Sequence, residues 1–353
     1  MKKILVIQQK MIGDVLVSTI ICNNLKVIFP DSEIHYLVYP FTKPVAENNP
    51  NIDKLILFED QFRKSKKSLL KFLIAIRKEK YDIVIDAYGK LESNLVVGMS
   101  GAKRKISFHK SYTNFVYTDT VKELSQPKTT AGLAIENRML LLSPFHSDKN
   151  LDNRPKIYLT DSEIAHGKQI LEENNIDLSK KVYMIGVLGS GTNKTYPFPY
   201  MAQLLDEIVT ESQATLLFNY MPSQKKQAQE IYDLCQPETQ KHILIDIIPG
   251  SIREFLSITY HCNALIGNEG GAVNMAKALE KPTFTIFSTW IKKEAWNSFE
   301  DGKTNVSVHL KDFKPELYGG KSAKEMKSEA MALYDAFTPD LVIPEVKKYI
   351  KSN

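Results

Sequence analysis

The feature that most constrains the fold is an alternation of short apolar runs with longer helical segments, which occurs twice along the chain. The first series starts with KILVIQ at Lys3 and continues through IHYLVYP, DKLILF and DIVIDAYG. The second starts with VYMIGVL at Val182 and continues through ATLLFNY, HILID, NALIGNEGG and PTFTIF. Buried parallel strands have this near-continuous apolar character, and alternating helices indicate βαβ units. The pattern predicts two doubly wound, Rossmann-like α/β domains.

The length of the chain, 353 residues, also suits two domains better than one hydrophobic core. The polar segment DKNLDNRPKIYL separates the two series. We place the first domain at 1–175, the second at 176–338, and a final helix, broken by Pro344, at 339–353. We expect this helix to pack back toward the first domain. Because ligands of such sheets bind beyond the carboxyl ends of the strands, we expect the domains to face a central cleft.

Composition and charge exclude several classes of protein. With 43% hydrophobic and 25% charged residues the chain is typical of a globular protein, and a net charge of +5 does not indicate a nucleic-acid partner. The cysteines, Cys22, Cys235 and Cys262, lack the spacing of a metal site or a disulfide framework. No apolar segment has the length of a membrane span, and the first residues lack a signal-peptide pattern. We therefore expect a cytoplasmic protein.

One segment is strongly basic. Between Arg63 and Lys80, eight cations and one anion occupy eighteen positions. Such a run can be the solvated face of a helix. It can also be a surface for phosphate-bearing or membrane partners, which allows peripheral contact with the inner face of a membrane.

Asp14 follows Gly13 where the first strand turns into a helix, in VIQQKMIGDV. A carboxylate is electrostatically favoured at a helix N-terminus, so Asp14 could simply cap the helix. A carboxylate that faces a pocket could instead accept a proton from a hydroxyl group. The residues alone leave both interpretations open.

Two loops of the second series combine glycine with groups that bind phosphate. In GNEGGAVNMAKAL, Gly270 and Gly271 follow Glu269 and open a helix, whose unpaired N–H groups suit a diphosphate. In GSGTNKTYPF, Lys194 could neutralise a leaving phosphate, while Ser190 and Thr192 could donate hydrogen bonds. The simpler alternatives are a tight turn with Glu269 as a cap and an ordinary surface lysine.

Several motifs are missing. The chain contains no D-x-D, G-x-G-x-x-G, H-E-x-x-H or G-x-S-x-G, and its seven histidines form no ligand cluster. A two-domain dehydrogenase is therefore disfavoured, and we expect neither a metal nor a cofactor. Phosphate charge would have to be neutralised by lysine and by helix N-termini.

These loops, taken in order, resemble glycosyltransferase family 9, the bacterial ADP-heptose:lipopolysaccharide heptosyltransferases. The start KILVIQQKMIGDVLVSTI is similar to the family's strand, S-x-x-G-D and helix. YDIVIDAYG resembles Y-D-x-x-I-D-x-Q-G, GAKRKISF resembles A-x-x-R-I-G-F, and GSGTNKTYP resembles P-G-S-x-x-x-K-x-W-P. ALIGNEGGAVNMAKALEKPTFTIF follows the block V-G-x-D-[ST]-G-x-x-H-x-A-A-A-L-x-x-P-T-x-x-[IL]-F. The resemblance implies the GT-B fold.

The resemblance also implies residue roles. Asp14 takes the position of the catalytic base. With Thr192 from the same loop, the donor-binding candidates are Ser190, Thr192, Lys194, Glu269, Gly270, Gly271 and Asn274. Glu269 replaces an aspartate that contacts the hydroxyls of the donor sugar, and it is one methylene longer. Asn274 replaces a histidine and offers only neutral hydrogen bonds.

The function implied is an inverting, metal-independent transfer of a heptose from ADP-heptose to the inner core of lipopolysaccharide. Two alternatives remain. The chain could use a different nucleotide sugar, such as a hexosaminyl donor, or it could bind a nucleotide sugar without catalysis.

Overall fold

The computed structural model describes residues 1–353, apart from the side chain of Ala323. The chain divides into two compact units. The first unit contains Met1–Tyr158 and Glu294–Ser298, and the second contains Leu159–Lys293 and Phe299–Asn353.

The first unit is a parallel six-stranded sheet with helices packed against it. Its strands are β1 Lys3–Ile7, β2 Glu33–Val38, β3 Lys54–Leu57, β4 Ile83–Asp86, β5 Arg104–Phe108 and β6 Asp119–Val121. Its helices are α1 Ile12–Ile28, α2 Gln61–Lys64, α3 Lys66–Lys78, α4 Leu91–Met99 and α5 Leu133–Leu140. The strand order is β3-β2-β1-β4-β5-β6, with the direction of winding reversed between β1 and β4.

The second unit is also built on a parallel six-stranded sheet. Its strands are β7 Val182–Gly186, β8 Thr215–Phe218, β9 Ile243–Leu244, β10 Ala264–Asn268, β11 Thr283–Ile286 and β12 Asn305–Val308. Its helices are α6 Asp161–Glu173, α7 Phe198–Ser212, α8 Lys225–Leu234, α9 Pro237–Gln240, α10 Ile252–His261, α11 Gly271–Ala278, α13 Leu310–Phe313, α14 Ala323–Ser328, α15 Ala330–Asp335 and α16 Pro339–Ser352. The short helix α12 Lys293–Trp296 starts at the last residue of the segment Leu159–Lys293 and continues into the Glu294–Ser298 segment of the first unit. The order β12-β11-β10-β7-β8-β9 reverses between β7 and β10.

The two sheets have the same topology, since adding six to each strand number of the first order gives the second order read from its opposite edge. The central strands are buried because both faces of each sheet are covered, which explains their continuous apolar sequences. The carboxyl ends of β1 and β4, and likewise of β7 and β10, meet where the winding reverses. Loops at this position are the usual ligand-binding loops of doubly wound sheets. The predicted pair of Rossmann-like units is confirmed.

The boundary between the units differs from the predicted one. It lies between Tyr158 and Leu159, and not between 175 and 176, because α6 packs against α10 of the second unit. Gly167 allows this packing, since a Cβ there would lie 2.5 Å from the backbone of Ser257. An ion pair of 2.6 Å between Glu163 and Arg253 joins the same two helices.

The final helix also differs from expectation. It belongs to the second unit, where Val342 and Val346 are buried in the core and Lys347 lies 2.6 Å from Glu207 of α7. The helix runs through Pro344 without a break. Pro344 is exposed, so the carbonyl group that loses its helical partner faces solvent, and the buried stripe holds the helix together. Among the described residues, no helix combines the length and the hydropathy required to cross a bilayer.

Candidate active site

Asp14 lies in the first turn of α1, directly after the loop that follows β1. One carboxylate oxygen is 3.4 Å from the backbone nitrogen of Met11, which is a long capping contact. The other oxygen accepts a hydrogen bond of 2.5 Å from the Arg138 guanidinium of α5. The Asp14 side chain keeps 21% of its surface exposed and Arg138 keeps 12%, so the carboxylate is held firmly but can still be reached. Capping therefore describes only part of its environment.

Arg138 is a residue that the sequence did not reveal. It lies 124 positions from Asp14, within a segment that predicts only a helix. Besides Asp14, its guanidinium lies 3.4 Å from the Ser18 hydroxyl and 3.4 Å from the carbonyl oxygen of Ala134. Two further contacts hold the planar group in one orientation, and it in turn orients the Asp14 carboxylate.

Asn268 connects the two candidate loops of the second unit. It ends β10 and is buried. Its side-chain oxygen accepts a hydrogen bond of 2.7 Å from the backbone N–H of Tyr196, and its amide nitrogen donates to the carbonyl oxygens of Gly186 and Val187 at 2.9 and 3.0 Å. A single amide thus fixes the loop after β7 to the end of β10. Its position beside Glu269 was the only signal in the sequence.

Lys194 and Glu269 come together through this arrangement. Their charged atoms are 3.3 Å apart, and the Glu269 side chain is only 10% exposed. The contact is an ion pair without hydrogen-bond geometry. Among the described residues, none donates a hydrogen bond to this oxygen, Oε1 of Glu269. The Lys194 ammonium also lies 5.7 Å from the centre of the Trp290 ring. A lysine held between a carboxylate and an aromatic face is in place before any ligand arrives.

The loop that carries Lys194 depends on Gly189. A Cβ at Gly189 would lie 2.1 Å from the carbonyl oxygen of Lys194, so no other residue fits without moving the loop. Gln224 donates to the carbonyl oxygen of Gly189 at 2.9 Å. Ser190 and Thr192 are exposed in the same loop.

The N-terminus of α11 is open. No side chain caps it through Gly270, and its first turn contains no acidic residue. The first N–H groups of a helix have no partner within the helix and carry the positive end of its dipole, which favours an anion. A Cβ at Gly270 would meet nothing within 4 Å, so there is open space beside the backbone. Asn274 is half-buried one turn further along the helix.

Comparison with known proteins decides the family. The sequence model of glycosyltransferase family 9 (heptosyltransferase) matches residues 69–325, which is more than half of the 353-residue chain. The chain belongs to glycosyltransferase family 9. It is therefore an enzyme that transfers a glycosyl group.

Individual relatives agree with this assignment. The family 9 enzyme is 26% identical over 294 residues to lipopolysaccharide heptosyltransferase 1 of Campylobacter coli, which covers 81% of this chain and 83% of the relative. A family 9 glycosyltransferase from Veillonella parvula superimposes with a TM-score of 0.81 at 15% identity, over 100% of this chain and 98% of that chain. The ADP-heptose lipopolysaccharide heptosyltransferase II of Escherichia coli gives a TM-score of 0.73 at 14% identity, over 99% and 98%. The GT-B fold class is confirmed.

Tyr196 occupies the position of the tryptophan in the family motif P-G-S-x-x-x-K-x-W-P. It is fully buried, and its ring packs near Tyr200, Tyr334 and Phe337 at centroid distances of 5.7, 6.4 and 5.6 Å. This position therefore supports the loop from the core.

The described residues contain no group of three or more histidine, cysteine, aspartate or glutamate side chains that could hold a metal ion. All three cysteines are free and buried. The two candidate loops of the second unit contain the Lys194 ammonium and the positive end of the α11 dipole.

Proposed function

We propose that this family 9 enzyme transfers a heptose from ADP-heptose to the inner core of lipopolysaccharide, with inversion and without a metal ion. The names of the relatives support the donor and the acceptor. The observation that carries the proposal is the uncapped N-terminus of α11 in the same unit as the Lys194–Glu269 pair. We further propose that the work is done at the cytoplasmic face of the inner membrane, where a lipid-anchored acceptor would be held.

The proposed reaction is a single displacement. An acceptor hydroxyl attacks the anomeric carbon of the heptose, its proton passes to the Asp14 carboxylate, and the bond between the anomeric carbon and the diphosphate breaks. Attack from the face opposite the leaving group inverts the anomeric centre. A general base of this kind contributes roughly 10²–10⁴ in rate.

The leaving diphosphate needs compensation for its charge. In this proposal the N–H groups at Gly271 bind its oxygens, and the Lys194 ammonium turns from Glu269 toward the phosphate. The N-terminus of α11 and Lys194 together would lower the activation barrier of the transfer by ~3–6 kcal/mol, judged from the losses measured when a single oxyanion-hole donor is removed. Glu269, once released, accepts hydrogen bonds from hydroxyls of the donor sugar.

The test is a donor panel with the purified chain. Thermal unfolding is followed with ADP-heptose, ADP and UDP-N-acetylglucosamine, and transfer to a truncated core oligosaccharide is followed by mass spectrometry with and without EDTA. We expect stabilisation by the two ADP compounds and a heptosylated product of inverted configuration by NMR, unaffected by EDTA. Stabilisation by the UDP-sugar alone contradicts the heptose donor, and binding without product under any condition contradicts catalysis.

A further inference from the structure

The outer face of α3 combines exposed apolar side chains with cations. Leu70 is 53% exposed and Ile74 is 43% exposed, while Leu73 and Ile76 of the same helix are buried. At about 100° per residue, Leu70 and Ile74 lie within about 40° of each other, and cations flank them on both sides. The flanking cations are Lys66 and Arg77 on one side and Lys67, Lys71 and Lys78 on the other.

The neighbouring helix α4 continues the exposed apolar area. Leu91, Leu95 and Met99 follow each other at intervals of four and form one stripe, with Leu91 74% exposed. Helices α3 and α4 contact each other and bury their inner residues in one hydrophobic cluster, so they cover the same face of the sheet. We call Leu70, Ile74, Leu91, Leu95 and Met99, with the flanking cations of α3, the α3–α4 surface.

The charge of the α3–α4 surface is uncompensated. Between Gln61 and Lys78 the chain carries seven cations and no carboxylate. Two adjacent acids are already neutralised, since Glu92 pairs with Arg63 at 2.7 Å and Glu79 pairs with Lys3 and with Lys54, the latter at 2.8 Å. Within the described structure, none of Lys67, Lys71 and Lys78 forms an ion pair.

We propose that the α3–α4 surface docks on an anionic phospholipid bilayer. Helices that lie in the plane of a membrane place an apolar stripe at the boundary of the acyl chains and direct flanking lysines to the headgroup phosphates. Exposed leucines surrounded by cations match that chemistry, whereas a nucleic acid would use the cations and leave the leucines in water. The inference rests on the proposed function for its purpose, because a lipid-anchored acceptor would be met at such a surface.

The test measures binding of the full chain to vesicles by co-sedimentation. Vesicles of phosphatidylcholine with phosphatidylglycerol are compared with vesicles of phosphatidylcholine alone. We expect binding to the anionic vesicles that weakens with salt, at least about tenfold above the neutral ones, since each lysine near an anionic surface contributes about fivefold. No binding to anionic vesicles, or equal binding to both kinds, overturns the proposal.

Paired variants locate the surface. Leu70→Ser with Ile74→Ser, and Lys67→Glu with Lys71→Glu, are each expected to reduce binding to anionic vesicles by about tenfold or more. Matched controls in the second unit are Leu234→Ser with Met331→Ser and Lys180→Glu with Lys226→Glu, all exposed positions that should change binding less than about twofold. Equal losses of vesicle binding in the surface and control variants overturn the proposal. The proposal is also overturned if the wild type does not bind vesicles but forms a dimer that Leu70→Ser with Ile74→Ser abolishes.

Transfer to a water-soluble truncated acceptor separates this inference from the proposed function. The surface variants should keep the wild-type rate with that acceptor and lose rate only when the acceptor is embedded in vesicles. Failure of the wild type in solution contradicts the proposed function and leaves vesicle binding to decide the docking surface.

Discussion

The two units share one strand order, but the charged candidate residues that follow their equivalent first strands have opposite signs. The loop after β1 leads to Asp14, whereas the loop after β7, its counterpart six strands later, carries Lys194. The first turn of α1 contains a carboxylate, while the first turn of α11, which follows β10 and is not the topological counterpart of α1, has neither an acidic residue nor a capping side chain. The first unit therefore presents an anion, and the second leaves room for one.

The ends of the fourth strands show the same contrast. Asp86 ends β4 and accepts hydrogen bonds from the backbone of Gly89 at 2.8 Å and from the Tyr117 hydroxyl at 2.7 Å. Burial raises the pKa of the Asp86 carboxyl. Asn268, its counterpart at the end of β10, both accepts and donates. Asp86 and Asn268 thus occupy equivalent positions but fix their loops through different hydrogen bonds.

Among the substitutions that test the contrast between the two units, Asp14→Asn should have the largest effect on activity. The amide cannot accept the proton of the acceptor hydroxyl, so kcat should fall by about 10³ while donor affinity changes little. Single-turnover kinetics and donor titration measure the two effects. A control in the same unit is Asp31→Asn, at an exposed position after α1, which should leave kcat unchanged. Turnover by Asp14→Asn near the wild-type rate would show that another group takes the proton.

Lys194→Met removes the cation of the loop after β7 and keeps an unbranched side chain of similar length. We expect kcat/KM for the donor to fall by about 10²–10³, because the developing charge on the diphosphate loses one partner. Steady-state kinetics with varied donor measure the loss. Lys292→Met, at an exposed position two residues after Trp290, is the control and should stay within about twofold of wild type. An unchanged kcat/KM in Lys194→Met would assign the diphosphate to other groups.

Asn268→Asp tests whether the second unit requires an amide where the first has an acid. The new oxygen would face two carbonyl oxygens that now lie 2.9 and 3.0 Å from a donor, in a buried place. We expect the free energy of unfolding to drop by about 3 kcal/mol, measured by urea denaturation. Asn263→Asp is a matched control, because Asn263 is exposed and uses only its oxygen, toward Val182. Equal effects of the two substitutions would contradict this role of Asn268.

Arg138→Met leaves the Asp14 carboxylate without its orienting partner. Asp14 should then sample other rotamers, so kcat should fall by about tenfold with little change in KM for the donor. Arg138→Lys should recover part of the rate because an ammonium restores the charge but not the planar geometry. A rise in KM without a fall in kcat would assign Arg138 to substrate binding.

The sequence allowed the fold to be predicted, together with the proximity of two candidate residues, because both follow from the order of the strands. Strand ends at a winding reversal must lie together, so Lys194 and Glu269 could be placed in neighbouring loops before the 3.3 Å ion pair was seen. Arg138 could not be predicted, since its partner lies 124 positions away and no local pattern connects them. The contacts of Asn268 could not be predicted either, because they depend on the register of β7 against β10. The boundary between Tyr158 and Leu159 depends on the packing of α6 against α10. The hydrophobic periodicity of a helix does not indicate which unit the helix packs against.

The smallest expected effect concerns α6, which enters the second unit through the Glu163–Arg253 pair. The hydrogen bond from Arg253 lowers the pKa of Glu163 from 4.5 to about 2. Since the folded pKa lies below the unfolded one, the pair stabilises the fold above about pH 4.5, and this contribution disappears as the pH falls through about 2.

Glu163→Gln removes that charge but keeps the capping box with Thr160, because glutamine can accept the same backbone hydrogen bond of 2.8 Å. The pair is partly exposed, so the loss at pH 7 should be at most about 1 kcal/mol. Urea unfolding of wild type and variant from pH 7 to pH 3 should show the difference shrinking as the pH falls. The surface substitution Glu172→Gln, whose partner Lys168 is one turn away on the same helix, should change little at any pH. A difference between wild type and Glu163→Gln that stayed constant with pH would mean that packing of the side chain, and not its charge, joins α6 to α10.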